Sequence, residues 1–295
     1  MDTPLHTPLM QWLGPFAEFA FMQYALAGLL ALSLSAPPVG VFLMLRRMSL
    51  TGDAMAHAIL PGAALGYLVA GLSLGAMTLG GLAAGLLVVA LSGVVTRTTV
   101  LREDTALAAF YLLSLAVGVV IISSQGRSVD LLHVLFGSVL ALDGAAVQFL
   151  WGVAAATVAA LALLYRPLVL ECLDPGFLRS VSRLSPVAHH GFLALMVLNL
   201  VAGFQALGTL LAVGLMILPA AAARFWVREL RQMLGLSCAF GAIGSVAGLW
   251  LSWRLDLPTG PTIVLALGAL LGASLLAAPR GVLRERLLPV RHLRA

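Results

Sequence analysis

The sequence predicts an all-α protein, a polytopic bundle of about eight or nine transmembrane helices, and three observations carry this prediction. Of its 295 residues, 61% are apolar and only 10% are charged, against about 25% charged in an average soluble domain. Mean hydropathy is +1.05. The apolar residues form long unbroken runs, and a spanning helix needs about 20 of them. These features exclude a soluble enzyme and a peripheral protein with one anchor.

The apolar runs place the predicted spans in order along the chain. The first covers about residues 16–45 and contains Pro37 and Pro38. Eight more follow, at about 54–71, 74–96, 105–124, 144–165, 187–206, 207–223, 232–252 and 260–279. The region 187–223 is nearly continuous, so the count falls to eight if it contains a hairpin that does not cross. A shorter run at 131–142 is too brief to span.

Arginine placement orients these spans, because positively charged residues favour the cytoplasmic side of a membrane. All 17 basic residues are arginines, and two spans separate most neighbouring clusters, which lie at 46–47, 97–102, 166–183, 224–231 and 280–294. We therefore expect one transmembrane domain over residues 1–295, with its N-terminus outside and a basic cytoplasmic tail from about 280 to 295. The net charge of +5 then marks topology and indicates no nucleic-acid partner.

The absence of lysine limits the chemistry that this chain can perform. A Walker-type nucleotide site needs a lysine on the β- and γ-phosphates, so any ATPase motor must be another polypeptide. No set of nucleophile, base and orienting group is present, and we expect neither an enzyme nor a permanently bound cofactor. Cys172 and Cys238 are far apart and form no CxxC pair, which argues against a thiolate metal site.

One pair of ionisable residues lies within a predicted span, where charge is costly and functional by default. Asp53 and His57 are four residues apart, so their side chains share one helix face. A carboxylate with an imidazole suits Zn, Mn or Fe, and Pro61 can loosen the helix one turn later. The remaining ligands would come from another helix, a backbone carbonyl, water or a second protomer.

Each member of this pair also has a structural interpretation. Asp53 could cap the helix that follows it, and His57 could bond across a helix interface. The basic residues Arg46 and Arg47 add a constraint, because Asp53 follows Arg46 by seven residues, or about 10 Å of helix. Either the metal site lies in the inner half of the membrane, or these arginines lie below its surface.

Two further groups of residues are candidates for function. Asp130 and His133, beside the short apolar run, could line an outer vestibule. On the cytoplasmic side, the longest polar loop covers about 171–186, and Asp174 followed by proline is typical of a helix start. The short amphipathic helix predicted there would either rest on lipid headgroups or dock a cytoplasmic partner. Its candidate contact residues are Asp174, Phe177, Leu178, Arg179, Val181 and Arg183.

Five short segments occur in a fixed order over about residues 20–280. They read RRMSLTGDAMAH at 46–57, EDTAL at 103–107, DLLHVLFGS at 130–138, LPAAAAR at the end of 208–224, and DLPTGP at 256–261. In this order they resemble segments of the membrane permease subunits of bacterial ABC importers for zinc, manganese and iron. Each segment is modestly specific, and the ordered set of five is strongly specific.

This resemblance implies a type II ABC importer-like permease in the inner (plasma) membrane of a bacterium. Such a permease pairs with a second permease copy, identical or different, and with cytoplasmic ABC ATPase subunits that bind ATP. An extracytoplasmic metal-binding protein delivers the ion. The family's metal-path Asp and His correspond to Asp53 and His57, and its coupling helix falls at 174–183. Gly176 departs from the pattern, since many relatives carry Glu there.

We therefore predict the permease subunit of an importer that moves a divalent transition metal, zinc or manganese, with iron as a further candidate. One alternative is an ATP-independent secondary transporter or channel, which would need a network of carboxylates inside the membrane. Another is an ABC permease for a chelate such as a siderophore or cobalamin, which needs no ionisable pair. Asp53 and His57 do not distinguish among the three metals.

Overall fold

The computed structural model describes residues 16, 18–71, 73–124, 139–174 and 184–281. Within these ranges the secondary structure is helical and contains no strand. Ten α-helices follow one another: α1 Ala20–Leu45, α2 Ser49–Ala58, α3 Leu60–Ala70, α4 Leu74–Thr98, α5 Glu103–Ser124, α6 Gly144–Leu173, α7 Leu184–Leu207, α8 Thr209–Trp226, α9 Leu230–Leu255 and α10 Thr259–Ala277. A single 3₁₀ turn, Val139–Ala141, precedes α6.

Nine segments of the described chain are long and apolar enough to cross a membrane, with α2 and α3 together forming one of them. The prediction of about eight or nine spans is confirmed. The nearly continuous region 187–223 divides at Gly208, whose φ of 94° suits glycine. It yields two separate helices of 24 and 18 residues, α7 and α8.

Two helices extend beyond the predicted apolar runs by five residues or more. The helix α2 begins at Ser49, before the run that starts near residue 54, because residues of mixed polarity continue the helix toward the preceding turn. Helix α6 continues past the predicted end of its run near residue 165, through Pro167, to Leu173. Glu171 is therefore helical and buried, whereas the sequence placed it at the start of the polar loop.

The centre of the bundle is α1, the most buried of the nine spans. It packs against α6, α7, α8 and α9. The second most buried span is α7, which also contacts α4 and α2. Helix association in lipid depends on close packing, since lipid tails are as apolar as the side chains themselves.

Glycines bring several helix backbones into direct contact. A Cβ on Gly40 of α1 would lie 1.8 Å from the carbonyl oxygen of Met216 in α8, and one on Gly62 would lie 1.9 Å from that of Gly80. No side chain fits at either crossing. The spacing of Gly62 and Gly66 predicts such packing, and Gly66 likewise faces the backbone of Ala76.

A tight turn joins α1 to α2. The N–H of Met48 donates to the carbonyl of Leu43 at 2.9 Å, and that of Arg47 donates to Met44 at 3.1 Å. This pair of bonds is the Schellman pattern, with Arg47 in the left-handed position (φ 59°) that glycine usually takes. The turn ends α1 at Leu45, with Arg46 as its C-cap, and leads into α2, which carries Asp53 and His57.

Candidate functional site

Asp53 and His57 both lie on α2, as the spacing predicts. Asp53 is the fifth residue of a helix that begins at Ser49, and the residue in the N-cap position is Met48. The alternative interpretation of Asp53 as a helix cap is therefore wrong. The helix ends one residue after His57, and Ile59 separates it from α3, which has Pro61 in its first turn. This break fits the predicted loosening beside Pro61, which lacks an N–H.

The two side chains open into a groove of about 450 Å³. Its other walls come from α8 and from Val264 of α10, and they are apolar apart from Thr209. Asp53 is exposed and His57 is half-buried. An exposed carboxylate within an apolar span is costly in lipid, so this face of α2 must meet water or another protein chain.

The groove contains too few ligands to close a metal site alone. Among the described residues, no three His, Cys, Asp or Glu side chains come together as a metal-binding group. Asp53 and His57 can therefore supply one carboxylate and one imidazole, with the other positions left to water or to a second protein chain. Such an open shell can hold a divalent cation without trapping it.

Most of the other predicted site residues fall outside the described residues. These are the vestibule pair Asp130 and His133, and the coupling residues Phe177, Leu178, Arg179, Val181 and Arg183. Asp174 is described, and it follows the last residue of α6 with an extended backbone. Asp174 is thus the C-cap of α6. Its predicted role at the start of a short amphipathic helix involves residues 175–183, which lie outside the described residues.

A buried charged cluster near the ends of α1 and α6 was not predicted. Arg46 and Glu171 form an ion pair with a 3.6 Å separation between Nη2 and Oε1, and their side chains are 8% and 2% exposed. Arg46 also donates to His189 at the start of α7. The sequence indicates Arg46 as a marker of topology and depth and predicts no partner for it. The available signal was an acid and an arginine on the same predicted side of the membrane. The Arg46 side chain is thus buried within the protein, whereas its neighbour Arg47 is exposed.

Glu103 is also part of this cluster. It lies in the first turn of α5 with Asp104, where acidic side chains complement the positive end of the helix dipole. Its Oε1 also lies 3.1 Å from Nε2 of His189, a contact that the sequence does not reveal. His190, the neighbour of His189, directs its Nδ1 to the carbonyl of Pro186 at 2.8 Å, so the adjacent histidines do not form a chelate.

Comparison with protein families decides what kind of protein this is. A model described as the ABC 3 transport family matches residues 18–278. The chain belongs to the ABC 3 transport family. It is therefore a multi-pass membrane component of an ABC transporter, and the predicted resemblance to metal-uptake permeases is confirmed. Membership also decides against the ATP-independent transporter or channel.

Individual relatives of this ABC 3 permease agree with that assignment. The manganese import system permease protein ScaB of Streptococcus parasanguinis is 33% identical over 272 residues, covering 92% of this chain and 96% of ScaB. The chelated iron transport system membrane protein YfeD of Yersinia pestis is 30% identical over 252 residues, covering 85% and 83%. The solved structure of PsaBC from Streptococcus pneumoniae in complex with Fab superposes with a TM-score of 0.82 at 30% identity, covering 95% of this chain and 99% of that one.

Proposed function

We propose that this permease forms the membrane path of an ABC importer for Mn²⁺, with Asp53 and His57 as its metal ligands. The observation that carries the proposal is the opening of both side chains from one face of α2 into an otherwise largely apolar groove. A carboxylate suits Mn²⁺, and an imidazole suits several first-row metals. The relationship to a permease named for manganese import supports this choice of metal.

The metal shell is completed by water or by a second permease copy, identical or different. Two copies that meet across the exposed face of α2 would bring two carboxylates and two imidazoles together. The ion would then pass from an extracytoplasmic metal-binding protein to this shell and onward to the cytoplasm. Weak or partial coordination favours transport, because an ion must leave a site as readily as it enters.

Energy for transport comes from ATP on partner ATPase subunits, and this chain is not an enzyme. Its lack of lysine is consistent with a motor on another polypeptide. Residues 1–295 form one permease domain whose C-terminus is cytoplasmic. The segment from Asp174 to residue 183 contacts the ATPase, and its movement switches the path between outward and inward access.

Uptake of three radioactive metals tests this function. Proteoliposomes that hold the permease, its ATPase and its binding protein are supplied with ⁵⁴Mn²⁺, ⁵⁵Fe²⁺ or ⁶⁵Zn²⁺. We expect ATP-dependent accumulation of Mn²⁺ to exceed that of Zn²⁺ by about tenfold or more, which corresponds to about 1.4 kcal/mol of selectivity. Fe²⁺ should fall between them.

The control replaces the phosphate-binding lysine of the partner ATPase, and it should abolish accumulation of every metal. Accumulation that persists without ATP hydrolysis, or a preference for Zn²⁺ over Mn²⁺, would contradict the proposal. Uptake of an iron chelate in place of the free ion would instead favour the chelate permease.

A further inference from the structure

Four helix ends meet at the buried cluster around Arg46. Arg46 is the C-cap of α1, in the turn that leads into α2, and Glu171 lies in the last turn of α6. Ser185 and His189 lie in the first turns of α7, and Glu103 begins α5. The cluster therefore connects the turn that leads into α2, the helix of Asp53 and His57, with both helices that flank the segment 174–183.

The hydrogen bonds of this cluster are specific. Nη2 of Arg46 lies 2.8 Å from Nδ1 of His189, and since arginine can only donate, Nδ1 accepts. Nε2 of His189 then carries the ring proton and donates to Glu103. The hydroxyl of Ser185 donates to Oε2 of Glu171 at 2.9 Å. A single imidazole tautomer thus links the guanidinium to a carboxylate on α5.

Burial makes the Arg46–Glu171 pair difficult to separate. Both side chains are at least nine-tenths buried, and the guanidinium also stacks on the ring of Phe192, 5.1 Å from its centroid. Separating the two charges would leave each one buried and unpaired, which costs far more than the same event at the surface. Relative movement of α1 and α6 at this point is therefore unfavourable.

The Arg46–Glu171 pair lies close in sequence both to the segment 174–183 and to the helix that carries Asp53 and His57. Glu171 lies three residues before Asp174, and Ser185 lies two residues after residue 183. On the other side of the pair, Asp53 follows Arg46 by seven residues. The contacts of Arg46, Glu171 and His189 therefore give a displacement of the segment 174–183 a charged path to α2, beside the direct packing of α7 on α2.

We propose that Arg46, Glu171 and His189 are positioning residues that transmit movement of the ATPase-coupling segment to the metal-binding face of α2. This inference rests on the proposed function, since it takes the coupling role of 174–183 and the metal role of Asp53 and His57 from it. The buried network does not touch the transported ion. Its role is to couple ATP hydrolysis to metal release.

The test measures metal ions transported per ATP hydrolysed by the reconstituted transporter. Glu171→Gln removes the charge while keeping the volume and an acceptor for Ser185, and Arg46→Met removes the guanidinium. We expect each variant to lower the ratio by about tenfold or more while ATP hydrolysis stays within about twofold of wild type. Arg46→Lys, which keeps the charge, should restore part of the ratio.

The matched control is Asp104→Asn, which breaks an exposed ion pair to Arg102 close to the same end of the bundle. It should leave the ratio within about twofold of wild type, as is usual for exposed pairs. Equilibrium binding of ⁵⁴Mn²⁺ to Glu171→Gln should also match wild type, since the ligands are intact. If the transporter with Arg46→Met does not assemble, the ratio of metal ions transported per ATP in Glu171→Gln decides the test.

An unchanged ratio in assembled Glu171→Gln, with wild type transporting Mn²⁺, would overturn the transmission role and leave the proposed function intact. Equal losses of ATP hydrolysis and transport would also overturn it, because they would show a purely structural ion pair. A wild-type transporter that moves no metal would overturn the proposed function instead.

Discussion

Replacing Asp53 with asparagine is expected to lower ATP-dependent Mn²⁺ uptake by about 100-fold, equivalent to about 3 kcal/mol of lost ion binding. The side chain keeps its size and loses the negative charge that attracts the cation. His57→Gln should lower uptake by about tenfold or more, because an imidazole is a stronger neutral ligand than an amide. The measurement is ⁵⁴Mn²⁺ accumulation in proteoliposomes with equal amounts of assembled transporter.

Asp104→Asn is the matched control for this experiment. It makes the same chemical change at a carboxylate that is 65% exposed, at the start of α5, away from the groove. Its uptake should equal that of wild type. If Asp53→Asn and His57→Gln both transported Mn²⁺ at the wild-type rate, neither residue could lie on the ion path as a ligand.

Gly40→Ala is expected to destabilise the bundle by about 3 kcal/mol or more, at the upper end of the usual cost of overpacking. The added Cβ would lie 1.8 Å from the carbonyl oxygen of Met216 and 2.7 Å from its carbon. Neither atom belongs to a flexible side chain, so α1 and α8 must move apart. Thermal unfolding of the purified permease in detergent should show a clearly lower midpoint.

Gly268→Ala in α10 provides the comparison, since its Cβ would have no neighbour within 4 Å. Alanine is the better helix former by about 1 kcal/mol, so this variant should unfold at the wild-type temperature or above it. Equal unfolding temperatures for Gly40→Ala and wild type would show that α1 and α8 do not meet as closely as the structure places them.

The spans and the small-residue contacts could be predicted because each depends on local sequence. Apolar runs of sufficient length must form helices in lipid, where backbone groups have no other partners. A separation of four residues likewise places Asp53 and His57 on one face of a helix, whatever the tertiary structure. It also brings Gly62 and Gly66 to one helix surface, where the structure finds the backbone of α4.

The buried network could not be predicted, because it depends on how distant helix ends meet. Arg46 and Glu171 are far apart in sequence, and the polar composition near residue 171 indicated a loop. The helix α6 continues past Pro167, whose missing N–H interrupts the backbone ladder without ending the helix. That continuation brings Glu171 inside the protein, where it pairs with Arg46, which charge placement assigned only to the cytoplasmic side of the membrane.

Metal coordination by His57 is the most direct test of the central claim, that Asp53 and His57 bind the transported ion. The assembled transporter would be loaded with Mn²⁺ and studied by electron spin echo envelope modulation, which detects nitrogen nuclei bound to the metal. Wild type should show ¹⁴N modulation from a coordinated imidazole. In His57→Gln that modulation should disappear, and Asp53→Asn should bind markedly less Mn²⁺. Imidazole modulation that persists unchanged in His57→Gln would contradict the claim.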